Sequence, residues 1–354
     1  MKPVNIKDIA KALDVSIGTV DRALHGRSDV SPSTRARVLK KAKELGYRPN
    51  FAARSLKLNR RIRIGVYFPT EIASFFDLLR AGVTAASSAF VGVNVELVFR
   101  NFPRLGKGDL ELIEADRNEH FDGILIAPGN PDRIGPTINQ LVQHGITVVC
   151  VASDAPRTGR LSAVTVDANV SGAIAAELFS RTISHSGHLA TITGDLTTLD
   201  HAEKLKGFAA SLALFAPHLS LVPAVESHEK PTLAYRQAMS LLARKPYPAG
   251  IYVSTANSKP VLQALEEKRL LNQIQVITTD LYPELVSYIE SGKVLATLFQ
   301  RPFTQGRKAL EILLRYLIDG TQPVAPTRFT PHIVLRSNLP LFTDYLAGQP
   351  DSLS

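Results

Sequence analysis

The chain has 354 residues, a length that exceeds one ordinary core and predicts two or three domains. Charged residues make up 21% and the mean hydropathy is near zero, which excludes a disordered or fibrous chain, and no apolar run approaches a membrane span. The net charge of +9 is unevenly placed: residues 1–63 hold 16 Lys/Arg against 5 Asp/Glu and the remainder 25 against 27, so a compact basic segment precedes a near-neutral body, the electrostatic footprint of a nucleic-acid binder.

In chain order, Ile6, Ile9, Ala10 and Leu13 lie at helical spacing on one face. "DVS" interrupts the pattern, and Ser16 is placed to cap a second helix whose apolar stripe is Val20, Ala23 and Leu24. Ser31 and Pro32 open a third, with Val38, Leu39, Ala42 and Leu45 expected inside and Gly46 as its stop. Three short helices, the first two joined by a tight turn, predict a helix-turn-helix domain over residues 1–49. In that motif the second helix enters the major groove, so Ser16, Ile17, Gly18 and Thr19 are the candidate base-reading residues, with Asp21, Arg22 and His25 further along. Residues 50–61, "NFAARSLKLNRR", read as a linker able to form a short helix with Ala53 and Leu56 on one side.

From residue 62 the texture changes. Buried-strand patterns at "IRIGVYF", "VNVELVF", "FDGILIAP" and "ITVVCVA" alternate with helical segments. A second round runs from "SAVTVDA" through "HLATITG", "LSLVPAVE", "AGIYVST" and "IQVITTD", followed by a helix over 304–319 and a late strand in "RFTPHIVLRS". Such alternation predicts parallel sheets covered by helices, here in two lobes over residues 62–341. The expected division is 62–163 with 296–324 in the first lobe and 164–295 with 325–341 in the second, leaving 342–354 as a tail. Open α/β sheets bind ligands at the carboxyl ends of their strands. The candidates there are Phe75, Phe76, Asn130, Ser153, Asp154, Asp200, Lys204, Asn257, Asp280 and Gln300.

"IKDIAKALDVSIGTVDRAL", "VSPSTRARVLKKAKELGYRPN" and "AARSL" resemble the N-terminal motif of the LacI/GalR family of transcriptional repressors, densely over residues 4–58. The body resembles that family's effector domain, which has the fold of type I periplasmic sugar-binding proteins. The resemblance implies a homodimer on a pseudo-palindromic operator, with paired hinge helices in the minor groove. By position Leu56 is the wedge that kinks the duplex, Ala53 supports it, and Asn50 and Arg54 lie beside the backbone or groove floor. It also implies that Phe75 or Phe76 stacks on a sugar ring. Two departures matter. Asp21 stands where many members have Ser, and Lys204 stands where the family has a ligand-binding Arg, losing a rigid bidentate fork. The implied function is repression of carbohydrate or polyol genes under control of a small sugar-like effector. The Lys204 change keeps open a sugar phosphate, purine or other anionic effector, and an architectural DNA binder without an effector is the remaining alternative.

No phosphate-binding loop, dinucleotide fingerprint or nucleophile elbow occurs, so no enzyme and no cofactor are expected. "HSGH" (185–188) lacks a third ligand for a metal, and Cys150 falls in a buried strand as a core thiol that has no partner for a disulfide. The N-terminus lacks the apolar stretch of a secretory signal, which points to the cytoplasm and to no membrane partner.

Overall fold

A computed structural model describes residues 4–24, 29–45 and 61–346. The head contains helices α1 (Ile6–Leu13), α2 (Ile17–Leu24) and α3 (Pro32–Glu44). Each begins where the sequence supplies a cap. Asn5 Oδ1 accepts from Lys7 N at 2.8 Å while Asp8 Oδ2 accepts from Asn5 N at 2.8 Å, a reciprocal capping box. Ser16 Oγ accepts from Thr19 N at 3.0 Å, and Ser31 Oγ from Thr34 N at 3.2 Å ahead of Pro32. Ile9, Ala10, Val20, Ala23, Val38 and Ala42 form the small core. Leu39 and Leu45, expected inside, are exposed, because the stripe of α3 that faces its partners is only as wide as Val38 and Ala42.

The body has two lobes, each a parallel sheet between helices. Its elements are β1 (Ile62–Pro69), α4 (Ala73–Ala89), β2 (Val95–Phe102), α5 (Asp109–Ala115), β3 (Gly123–Ile126), α6 (Pro131–Gln143), β4 (Thr147–Val151), β5 (Ser162–Val166), α7 (Ala168–Thr182), β6 (Gly187–Thr193), α8 (Leu199–Phe215), β7 (Leu219–Leu221), β8 (Val225–Glu226), α9 (Pro231–Leu241), β9 (Gly250–Val253), α10 (Ser258–Glu267), β10 (Gln275–Thr279), α11 (Pro283–Glu290), β11 (Ala296–Phe299), α12 (Pro302–Asp319), β12 (Thr327–Phe329) and β13 (His332–Val334). The first sheet runs β12-β5-β4-β3-β1-β2, all parallel, and the second β13-β11-β10-β9-β6-β7, with β13 antiparallel to β11. The central strands are buried on both faces, as in sheets covered by helices on either side.

The structure corrects the expected lobe boundaries, and the expected tail as well, since Phe342 and Tyr345 are buried against Phe299 in the second lobe. Strand β5, with Val164 and Val166, lies in the first sheet rather than opening the second lobe, and β11 belongs to the second sheet. The late strand is two strands: β12 pairs with β5 in the first lobe and β13 with β11 in the second, on either side of Thr330 and Pro331. The chain thus crosses between lobes at Asp167, at Gln300–Arg301 and at Thr330–Pro331. The crossovers lie together: Asp167 N donates to Phe329 O at 2.8 Å, and the Arg301 guanidinium stands 5.3 Å over the Phe329 ring.

One helix pair in each lobe meets at backbone contact. A Cβ on Gly82 or Gly306 would collide with the facing backbone of α12 or α4, and one on Gly172 or Gly207 with that of α8 or α7. The second pair matters for the site, since Gly172 seats directly on the carbonyl oxygen of Lys204 and fixes where that side chain emerges. Opposite it, Arg104 of the first lobe reaches across to the second, its Nη1 donating to His228 O at 3.3 Å and lying 3.9 Å from Asp195 Oδ2.

Candidate functional site

The crevice between the lobes collects groups from strand ends of both sheets. Asp200 and Lys204 share the first turns of α8 at i, i+4 spacing. Lys204 is 1% exposed, with Nζ 2.6 Å from Asp200 Oδ2 and 2.9 Å from Gln300 Oε1. Gln300 follows β11 at the second crossover; its Nε2 donates to Asp280 Oδ2 at 2.8 Å and its backbone N to Asp280 Oδ1 at 3.2 Å. Asp280 directly follows β10 and is almost fully buried. Four side chains from three segments therefore form one chain of hydrogen bonds, Asp200–Lys204–Gln300–Asp280. Burial pushes the Asp280 carboxyl up to about 6, against the opposing pull of Lys204 and the Gln300 donors. Burial alone would lower the Lys204 ammonium, but Asp200, Tyr252 and Asp280 together outweigh it and hold it above its usual range.

A second buried set lies alongside. His201 Nε2 is 2.6 Å from Glu229 Oε1, and Thr255 Oγ1 donates to Glu229 Oε2 at 2.7 Å. Gly194 lies against both, and a Cβ there would strike the Glu229 carboxylate and the His201 ring. The first lobe faces these groups with Ile72, Phe75, Phe76 and Leu105; the two rings meet edge to face with centroids 5.0 Å apart. Ile72, Ala152, Glu229 and Asp280 all line the cavity in left-handed backbone (φ 59°, 65°, 60° and 67°), which costs on the order of 1 kcal/mol or more for each such residue and gathers at functional sites.

Seven of the ten expected ligand residues meet here: Phe75, Phe76, Ser153, Asp200, Lys204, Asp280 and Gln300. Three do not. Asn130 Oδ1 accepts from Asp132 N at 3.0 Å and Arg133 N at 3.1 Å, so it starts α6 instead of facing the crevice. Asp154 accepts from Arg160 Nε and Nη2 and faces a neighbouring cavity. Asn257 sits at the start of α10, behind the wall that Thr255 and Ala256 form. Sequence reasoning missed His201, Glu229 and Thr255. His201 adjoins Asp200 and was detectable as part of the same helical turn; Glu229 enters on a two-residue left-handed bend, for which "SHEK" gives no local signal.

In the head, Ser16 Oγ and Thr19 Oγ1 bond each other at 2.9 Å, and Ile17 is 50% exposed at the start of α2, an apolar side chain offered to a partner. Arg22 pairs with Asp29, its Nε 3.1 Å from Asp29 Oδ2. Gly18 and Asp21 complete the described part of that surface; His25, Asn50, Ala53, Arg54 and Leu56 lie outside the described residues. Lys7, Lys11, Arg37, Lys40 and Lys43 on α1 and α3 are exposed. Cys150 is buried, its thiol pushed up to about 12 by burial, an inert core group.

A two-lobed α/β body with a polar crevice, preceded by a basic helix-turn-helix head, is the architecture of a DNA-binding transcriptional regulator. The profile of the bacterial regulatory proteins of the lacI family matches residues 5–50, and that of the periplasmic binding protein domain matches residues 64–322. The chain belongs to the lacI family of transcriptional regulators, with a periplasmic-binding-protein domain as its body. It is 25% identical to catabolite control protein A of Priestia megaterium over 90% of this chain and 94% of that protein. It is 35% identical to the ribose operon repressor of Bacillus subtilis over 36% of this chain and 38% of that one. The fold is shared with a glucose-galactose binding protein of Geobacillus stearothermophilus (TM-score 0.73, 22% identity, 80% of this chain and all of that one). It is also shared with the myo-inositol binding protein of Caulobacter (TM-score 0.73, 20% identity, 81% and 97%). Among the described residues no helix is long and apolar enough to cross a membrane.

Proposed function

We propose that the chain is a repressor of carbohydrate or polyol uptake and catabolism genes, binding a pseudo-palindromic operator as a homodimer in the cytoplasm and controlled by a small neutral sugar-like effector. The observation that carries this reading is the buried chain Asp200–Lys204–Gln300–Asp280 facing Phe75 and Phe76. Carboxylates and an amide accept from and donate to hydroxyl pairs, while aromatic faces cover the apolar side of a ring. A phosphorylated or otherwise anionic effector is disfavoured. Lys204 is already paired with Asp200, and Asp280 and Glu229 line the same cavity, where they add negative charge. An effector-independent architectural role is disfavoured because a body without a ligand has no use for so much buried polar surface, which is costly to keep. The name of the similar ribose operon repressor agrees with a sugar-linked role.

On this reading the head supplies salt-dependent phosphate contacts, with Ser16, Ile17, Gly18, Thr19, Asp21, Arg22 and His25 at the major groove and Leu56 as the minor-groove wedge. Effector binding changes the angle between lobes at the three crossovers, and the two binding events share one coupling free energy. A thermal-shift screen against neutral sugars, polyols, sugar phosphates and purines tests it. A neutral sugar or polyol is expected to raise the melting temperature, and the rise to vanish in Asp280→Asn. Stabilisation by sugar phosphates alone contradicts it.

A further inference from the structure

The inner crevice is small in this conformation, about 40 Å³, room for roughly one water. Beside it, against the crossover strands, lies a larger cavity of about 310 Å³, at the lower end of the range of roughly 300–1,000 Å³ that small-molecule sites occupy. The two share a wall: Ala152, Ser153 and Asp200 border both. Ser153 Oγ, at this junction, is buried and has no hydrogen-bond partner among the described residues. A buried hydroxyl without a partner costs about 1–3 kcal/mol, so its place at the neck marks a position where a ligand hydroxyl completes it.

We propose that the outer cavity is a second effector subsite and that the effector spans both cavities, as a neutral glycoside of at least two sugar rings whose linkage passes Ser153. This rests on the reading of the crevice as the effector site. The outer cavity carries Asp154, Asp167, Asp200 and Glu203 against the single guanidinium of Arg328. Asp154 is neutralised by Arg160 and Asp200 by Lys204, and Asp167 Oδ1 accepts from Val170 N at 3.0 Å as the cap of α7. Glu203 Oε1 lies 3.5 Å from Lys206 Nζ, so each carboxylate already has a partner and its remaining lone pairs can accept hydrogen bonds from hydroxyls. Leu199, Pro156 and Val166 also line the outer cavity and are available to a ring face.

Calorimetric titration of the full chain tests this with paired probes: glucose with maltose and sucrose, galactose with lactose and melibiose. Two variants plug the outer cavity without bordering the inner one, Asn169→Trp at the start of α7 and Glu203→Trp on the adjoining α8; both positions are at least partly exposed, and thermal unfolding checks that each folds. The expected result is that one disaccharide binds the unaltered chain at least about tenfold more tightly than its monosaccharide, the worth of one or two net hydrogen bonds. Either plug then abolishes that preference and leaves monosaccharide binding unchanged, whereas Asp280→Asn removes both. If a monosaccharide binds as tightly as its disaccharides and neither plug matters while Asp280→Asn does, the second subsite is overturned and the crevice reading stands. If no probe binds, or Asp280→Asn leaves binding unchanged, both are overturned.

Discussion

The two walls of the crevice differ in kind. The first lobe contributes Ile72, Phe75, Phe76 and Leu105, side chains whose worth is area removed from water. The second contributes Asp200, Lys204, Glu229 and Asp280, whose worth depends on every partner being present. An apolar wall tolerates small changes, because dispersion and burial are spread over many atoms. A buried ionic wall does not, because removing one member leaves another charged or polar group desolvated and alone. The comparison orders the expected effects of mutation.

Lys204→Met breaks the second wall and is expected to be the most damaging: Asp200 and Gln300 lose their shared partner, and stability falls by about 3–5 kcal/mol, read from denaturant midpoints. A loss below about 1 kcal/mol would mean that water replaces the ammonium. Phe76→Ala breaks the first wall and is expected to cost about 3 kcal/mol through the cavity it leaves under α4, together with weaker sugar binding. Phe76→Leu, which keeps most of the volume, should recover most of the stability, an outcome without parallel on the polar wall.

The polar wall also has a pH signature. The Asp280 carboxyl is raised from 3.8 to about 6 in the folded chain, so the folded state holds a proton there that the unfolded state has released. Its contribution therefore becomes more favourable as pH falls from about 6 towards 3.8, and is least favourable above 6. The stability difference between the unaltered chain and Asp280→Asn, followed through that window, should shift in favour of the unaltered chain on acidification; a difference independent of pH would contradict the assignment. The smallest effect is in the head: Ser16→Ala removes the cap of α2 and should cost about 1 kcal/mol and weaken DNA binding, leaving the sugar affinity of the body unchanged.

The same contrast explains what was legible in the sequence. Local signals gave the helices of the head, since a cap such as Ser31–Pro32 acts within a few residues. They also gave the strand ends that carry Asp280 and Gln300. They did not give the lobe division, because β11 reads as a buried strand in either sheet and only long-range pairing assigns it to the second. Asn130 illustrates a residue with two plausible uses, ligand contact or helix cap, and the fold selects the cap. Glu229 reaches the crevice through backbone geometry with no sequence pattern, and the seating of Lys204 depends on Gly172, thirty-two positions away in the chain.

The measurement that bears most directly on the central claim is the affinity of the full chain for a DNA duplex selected from a random pool, measured by fluorescence anisotropy with and without each neutral sugar of the panel. The account predicts that at least one sugar changes the affinity of the unaltered chain, and that Asp280→Asn binds the same duplex equally well but no longer responds. A duplex affinity indifferent to every neutral sugar, or a response that survives in Asp280→Asn, would contradict control of DNA binding through this crevice.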